Sequence, residues 1–472
     1  MQRVLPDRPW ALHDVAAIRR LEQRAAAALP AHTLMQRAGL AVARLALAVA
    51  PHARTIWIAC GPGNNGGDGL EAALHLRQWG KQPVLTWLGS EAKAPGDSLA
   101  SLQRARAAGV SFAEAPPAAC DLAIDALLGI GGSRAPEGAL RDHIARLNAC
   151  GSPVLSVDLP SGLQADTGTG DVTVRAAHTL SLLALKPGLF TGHGRDAAGQ
   201  VWFEDLAVPA DGEPPCALLA GPPAAAPRLH ASHKGSYGDV AVIGGAPGMA
   251  GAVLLAARAA LRHGAGRVYA GFLALAPPPF DAGAPDLMVR RWDSLDLRAL
   301  HVACGCGGGE PVRQALPKVL AARTLVLDAD ALNAIATDAD LQEQLLARTA
   351  PTVLTPHPLE AARLLGCATQ EVQSDRLAAA RELAANLRCV VLLKGSGTVI
   401  AAPDGSVRIN PTGNARLAIA GTGDVLAGMV AARLAGGEPA FEAASHAAFL
   451  HGLAADRWPA ERPLTAAGLA SA

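Results

Sequence analysis

The sequence predicts an α/β protein of two domains, each built on a doubly wound, largely parallel sheet. Short, continuously apolar runs alternate with helical patterns, which is how strands buried on both faces read. Most of these runs end in Gly, Asp, His or Lys, where open α/β sheets present residues to ligands. The chain of 472 residues exceeds one ordinary domain. Its Pro/Gly/Ala-rich stretch 207–228 (AVPADGEPPCALLAGPPAAAPR) lacks periodicity and divides it into domains at 1–215 and 225–472.

An Ala-rich helical region spans 11–50, followed by the strand TIWIAC (55–60), a Gly-rich turn and a helix to Trp79. Further strands are expected at PVLTWL (83–88), DLAIDALL (121–128), PVLSVDLP (153–160) and HTLSLLAL (178–185). The second half repeats this grammar with other residues: DVAVIGG (239–245), RVYAGFL (267–273), HVACGC (301–306), TLVLDAD (324–330), TVLTPHP (352–358) and CVVLLKG (389–395).

Lys and Arg number 41, as do Asp and Glu. A neutral chain does not attract nucleic acid or an anionic membrane, so an anionic ligand must be held by backbone amides and helix N-termini. The eight cysteines form no CxxC pair and several sit in apolar runs, the usage of small buried hydrophobes in a reducing compartment. The longest apolar helix candidate, 38–51, is interrupted by Arg44 and too short to span a bilayer, and the N-terminus carries no signal-peptide pattern. A cytoplasmic protein, and a homo-oligomer, are expected.

GPGNNGGDG (61–69) follows a strand and opens a helix. Gly61, Gly63 and Gly66 satisfy G-x-G-x-x-G, but PVLTWL ends in Leu88-Gly89 without the acidic ribose ligand of an ordinary dinucleotide turn. Asp125 and Asp158 stand at the tips of two further strands. Either alone reads as a helix N-cap; beside the Gly-rich turn, Asn65, Asp125 and Ser161 together suggest a hard-cation site.

GPGNNGGDGL, LMQRAG (34–39), VDLPSGLQADTG (157–168) and KPGLFTG (186–192) resemble the NAD(P)H-hydrate epimerase domain over most of 1–215, a Rossmann-like fold. The resemblance implies binding of hydrated NADH or NADPH (NADHX, NADPHX) by Asn64, Asn65, Gly66, Gly67 and Asp68. It extends that role to Gly129, Ile130, Gly131, Gly132, Ser133, Arg134, Ala135 and Asp158. It implies potassium on Asn65, Asp125 and Ser161, and makes Asp158 the acid/base group. Lys186 reads equally as its assistant or as an anchor for the loop.

In the second half no Walker A motif occurs. AGTGDVLAG (420–428) places a Gly-Thr-Gly turn before Asp424 and a helix, where amides can neutralise phosphoryl charge and a carboxylate can accept a proton. A dipole-stabilising acidic residue is the plainer reading of Asp424. LLKGSGT (392–398) adds Lys394 at a strand end, TPHPLEAARLLG (355–366) sets His357 between prolines, and Asn410 and Asn414 read as turn residues.

With HKGSYGDVAVIGGAPGMAGA (233–252) and LDADALNAIA (327–336), this set resembles the ADP- or ATP-dependent NAD(P)H-hydrate dehydratase domain over 230–457, a ribokinase-like fold. The resemblance implies nucleotide binding by Lys394, Gly395, Ser396, Gly397, Thr398 and Gly423. It places the hydrate near Ala252, Gly307, His357 and Asp424, with Asp424 as base and ADP (or ATP) with Mg²⁺ as co-substrate. Where the family reads GPGLG, this chain reads GCGGG (305–309), and loss of the proline is expected to loosen that turn. The competing readings are a ribokinase-like small-molecule kinase with a regulatory dinucleotide domain, and an N-terminal domain that only binds or scaffolds.

Overall fold

The computed structural model describes residues 1–132, 134–224 and 229–471. The chain forms two compact units: Met1–Leu5 with Trp10–Leu218, and Pro6–Pro9 with Leu219–Ala472.

In the first unit the expected helical region 11–50 resolves into a short strand and two helices. Trp10–Leu12 is extended, with Leu12 bridged to Leu185. Asp14 then caps Val15–Ala28, its carboxylate accepting from the Ala17 amide at 2.8 Å. Pro30, which cannot donate to a helix, and a left-handed His32 (φ 65°) separate it from Thr33–Val49.

The sheet of this unit has eight strands. Their order is Gln2–Arg3, Gln200–Glu204, His178–Leu182, Val154–Val157, Leu122–Ala126, Thr55–Cys60, Gln82–Trp87 and Ser111–Phe112. All neighbours are parallel except Gln2–Arg3 with Gln200–Glu204. The chain winds outward from Thr55–Cys60 to one edge, then returns to Leu122–Ala126 and winds to the other. The switch point of the sheet therefore lies between these two strands, with a crevice beyond Cys60 and Ala126. Trp57 is buried in the central strand and its indole N–H reaches Thr86 Oγ1 at 3.0 Å. Each of its aliphatic neighbours Ile56 and Ile58, fully buried, contributes roughly 2 kcal/mol.

In the second unit the strands run in the order Met288–Arg291, Arg267–Phe272, Asp239–Gly244, His301–Cys304, Thr324–Leu327, Thr352–Leu354, Val390–Leu393, Val399–Ala401 and Val407–Ile409. The last two pair antiparallel. The others are parallel, with the switch point between Asp239–Gly244 and His301–Cys304. TLVLDAD does not continue as a strand to residue 330. It stops at Leu327, and Asp328 stands at the N-terminus of the helix Ala329–Ala336.

The GCGGG turn is not loosened. Gly305, Gly307 and Gly309 take left-handed φ values of 120°, 57° and 51°, which glycine adopts without strain. The turn is tied by Gly305 N–H to Ile243 O (3.0 Å), Ala246 N–H to Gly307 O (2.8 Å) and Gly309 N–H to the Asp330 carboxylate (2.8 Å).

Candidate active sites

The helix Asn64–Gln78 starts at Gly63 with no side-chain cap, so its first amides are available to an anion. Gly66 is needed here because a Cβ would overlap the carbonyl oxygen of Gly61. Above this start, at the switch point, opens a cavity of about 540 Å³. Asn64, Asn65, Asp68, Gly129, Ile130, Gly131, Gly132 and Asp158 all line it. Gly66 and Gly67 are buried in the helix and do not; Arg134 and Ala135 are exposed and do not. Ser133 lies outside the described residues.

Asp158 sits just past Val154–Val157 in a left-handed conformation (φ 68°). Its carboxylate accepts from the Leu182 amide at 3.2 Å and forms an ion pair with Lys186, whose side chain is fully buried. Lys186 also donates to Leu182 O at 2.7 Å and to Ser181 Oγ at 3.3 Å. It is thus both anchor and counter-ion, and Asp158 is not a free carboxylate.

Three further carboxyl groups, those of Glu22, Asp68 and Asp97, line the cavity. Burial, reinforced by Asp158, Glu22, Glu71 and Asp97, holds Asp68 well above the ordinary carboxylate range. Burial and Asp158 likewise raise Glu22, against the opposing pull of Lys186 and Arg19. One carboxylate paired to a lysine beside carboxyl groups pushed toward the protonated form is an acid/base arrangement. Glu22 and Lys186 owe their placement to elements distant in sequence, and nothing in the amphipathic helix Val15–Ala28 distinguishes Glu22 from its exposed polar neighbours.

Asp125 lies fully buried below this cavity. Its Oδ1 accepts from Ser161 Oγ (2.6 Å) and the Leu127 amide (3.3 Å), its Oδ2 from Ser156 Oγ (2.8 Å) and the Ser161 amide (2.9 Å). These four donors engage the usual acceptor positions of a carboxylate. The Ser161 hydroxyl has a second acceptor, Leu128 O at 3.3 Å. The buried Asn65 side-chain nitrogen has no hydrogen-bond partner.

In the second unit, three adjacent parallel strands end in polar groups that meet. Lys394 Nζ donates to Asp328 Oδ1 at 2.6 Å, and Thr355 Oγ1 donates to the same oxygen at 2.8 Å. Burial opposes the charge on Lys394, but Asp328 and Glu360 outweigh it and hold the ammonium firmly. The helix Thr422–Ala435 begins at Gly421 (φ 90°) without a side-chain cap, and brings Gly423 and Asp424 to this cluster. A Cβ on Gly423 would lie 3.3 Å from Lys394 Nζ. Burial, then Asp328, raise Asp424 to about 6, while Cys306 and Lys394 oppose the rise. A base near neutrality beside an ammonium and open helix amides can take a hydroxyl proton while anionic phosphate is held.

Gly307 abuts Ala252, since a Cβ on it would come within 2.9 Å of the alanine Cβ. His357 caps Pro358–Leu365, its Nδ1 accepting from Leu359 and Glu360 amides at 3.1 and 3.2 Å, with Nε2 3.2 Å from Glu360. Its ring nitrogens are therefore satisfied locally. Gly395 and Ser396 are exposed at the strand tip, and the Thr398 hydroxyl closes the turn onto Gly395 O at 3.2 Å. Asn410 and Asn414 serve turns, Asn410 donating to Thr412 O and Ala448 O and Asn414 capping Ala415–Leu417.

Asp328, Cys306 and Arg376 were not singled out from sequence. The buried Arg376 donates to Leu393 O and Lys394 O at 3.2 and 3.1 Å and so fixes the Lys394 tip. Recurrence of Asp and Lys at successive strand ends was the available signal for Asp328.

Residues 31–188 match the family described as YjeF-related protein N-terminus, and residues 240–471 the family described as NAD(P)H-hydrate dehydratase. The bifunctional NAD(P)H-hydrate repair enzyme Nnr of Escherichia coli (strain K12) is 38% identical over 481 residues, covering 96% of this chain and 90% of that protein. An ADP-dependent (S)-NAD(P)H-hydrate dehydratase of Neisseria meningitidis serogroup B is 48% identical over 238 residues, covering 48% of this chain and 80% of its own length. Among solved structures, the ADP/ATP-dependent NAD(P)H-hydrate dehydratase of Bacillus subtilis, co-crystallised with ATP/Mg²⁺, is 34% identical over 52% of this chain and 90% of that one, with a TM-score of 0.43. On these matches the chain belongs to the family of bifunctional NAD(P)H-hydrate repair enzymes.

Proposed function

We propose that the first unit interconverts the (R) and (S) epimers of NAD(P)HX and that the second dehydrates the (S) epimer to NAD(P)H at the expense of ADP, giving AMP and phosphate. The observation that carries the dehydratase reading is Asp424, raised to about 6 beside Lys394 at an uncapped helix start. Asp424 takes the proton of the C6 hydroxyl as that oxygen attacks the terminal phosphoryl group. The amides of Thr422 and Gly423, with Lys394, hold the charge that develops on phosphate. Phosphate then leaves C6, a ring proton is lost and the double bond returns. Mg²⁺, bound with the nucleotide, neutralises phosphate charge.

In the first unit the open amides of the Asn64 helix hold the pyrophosphate, and Asp158 moves protons at the carbinol centre with Lys186 as its counter-ion. Asp68 and Glu22, whose carboxyl groups are pushed toward the protonated form by burial and by Asp158, stand beside it as the complementary acids. Asn65, Asp125 and Ser161 would hold potassium if the Ser161 proton turned from Asp125 to Leu128 O, leaving Asp125 Oδ1 with the Leu127 amide as its one donor. Bound there, potassium would supply positive charge beside the Asp125 carboxylate. The eight free cysteines suit a reducing cytoplasm.

The test is mixed-epimer NADHX with ADP or ATP, following recovery of NADH absorbance and release of phosphate. Asp424→Asn keeps size and hydrogen bonding but cannot accept the proton, so it loses about 10²–10⁴-fold in rate while still binding nucleotide. A stable phosphorylated product would instead favour a kinase.

A further inference from the structure

Cys306 occupies the position at which the family's GPGLG pattern has proline, a residue with no hydrogen to donate. Its side chain is fully buried, and Gly305 and Gly307, both left-handed, flank it. The backbone on either side is pinned: Cys306 O accepts from Gly245 N–H at 3.1 Å, and a Cβ on Gly305 or Gly244 would overlap the carbonyls of Asp328 or Cys306. Cys306 is thereby fixed by its backbone beside the Asp328 and Asp424 carboxylates. Its Sγ, an Asp328 oxygen and an Asp424 oxygen lie within 4.8 Å of one another.

We infer that Cys306 is a positioning residue for dehydration, donating its thiol hydrogen to the Asp424 carboxylate and holding that carboxylate aimed and ready to accept the substrate proton. Lys394 and Thr355 both donate to Asp328 Oδ1, whereas the Asp424 carboxylate, also within 4.8 Å of the thiol, accepts from no ammonium or hydroxyl among the described residues, and the thiol hydrogen is assigned to it. Burial pushes the Cys306 thiol well above its ordinary range, so it is a neutral donor rather than a nucleophile or metal ligand. The charged groups around Asp424 are few. Asp328 and Asp330 come from the Ala329 helix and its start, and Lys394 from the adjacent strand end. His451, on Ala440–Asp456, is spent on Thr422 O at 3.0 Å. Arg258, on Ala250–Arg262, is paired to Asp281, and Asp239, on the first strand, to Arg267. Among these neighbours only Cys306 and Lys394 favour the ionised carboxylate, and Lys394 is shared with Asp328.

The test uses the full-length protein, with dehydration of NADHX measured across pH and the rate at pH 8 divided by that at pH 6. With Asp424 at about 6, the ratio for the unaltered protein is about 2. Cys306→Ala removes the donor, moves the acid limb to higher pH and raises the ratio to about 4–10. Cys306→Ser restores a donor and returns the ratio to about 2. Should the alanine variant melt early, Cys306→Val fills the space without a donor and is expected to give the raised ratio. A ratio near 2 in a folded alanine or valine variant, or an equal loss of rate at every pH in all variants, overturns the inference. The inference rests on Asp424 as base. If Asp424→Asn retains more than about a tenth of the rate, both readings fall; if it is inactive while Cys306→Ala keeps the ratio of 2, only the role of Cys306 falls.

Discussion

Replacing Lys186 by Met removes one half of a buried ion pair and leaves Asp158 with a single amide donor. The lysine side chain is fully buried, while the aspartate keeps 12% of its side-chain surface on the cavity. Breaking a fully buried pair costs about 3–5 kcal/mol, and contact with cavity water places this case near the lower end, at about 3 kcal/mol. For a unit of this size that corresponds to a fall of roughly 6–12 °C in melting temperature. Trp10, Trp57, Trp79, Trp87 and Trp202, five of the seven tryptophans, belong to the first unit, so its unfolding is followed by their emission in the full-length chain. The double variant Lys186→Met/Asp158→Asn has no charge left to desolvate and recovers at least half of the loss. Epimerisation is lost in both, whereas dehydration of (S)-NADHX persists. A loss below about 1 kcal/mol in the single variant, or no recovery in the double one, would refute the counter-ion reading.

Three further outcomes follow from the same geometry. Asp424 works as a base only when ionised, so with its value at about 6 the dehydration rate rises about tenfold between pH 5 and pH 7, and a flat profile there excludes it. Gly66→Ala drives a methyl into the Gly61 carbonyl and is expected to cost about 1–3 kcal/mol, read in a denaturant melt, together with NADPHX affinity. Asp125→Ala strands two serine hydroxyls and two amides, which destabilises the first unit. Independently of that, epimerisation by the intact protein in potassium should exceed that in a bulky organic cation, and equal rates would count against the ion.

The strands that bear the sites were readable because a parallel strand buried on both faces is continuously apolar. Leu122–Ala126 and Val390–Leu393 are of this kind. Edge strands such as Gln2–Arg3, Ser111–Phe112 and Met288–Arg291 are too short and too exposed to carry that signature. In TLVLDAD the Asp at the strand end marked a ligand-facing position, but its partner Lys394, 66 residues away, was not legible from the run itself. Gly-rich turns announced where anions could be held, whereas Glu22, Cys306 and Arg376 became visible only through tertiary contacts. His357, set between prolines, also caps its own helix through Nδ1, a role that sequence reading offered beside the ligand contact.

The left-handed backbone at Asp158 also bears on how this chain can drift over generations. Outside glycine, that conformation is tolerated best by Asp and Asn, whose short side chains bond locally, and poorly by β-branched residues. Asn is one nucleotide change from Asp and fits the same backbone without strain. An inactive first unit can therefore arise in a single step and still fold, remaining as a silent passenger beside a working partner. With Asp158 as the proposed acid/base group, Asn at 158 in descendants of this chain, with an otherwise unaltered cavity, would mark a lineage that has given up one of its two activities while keeping the architecture that carried it.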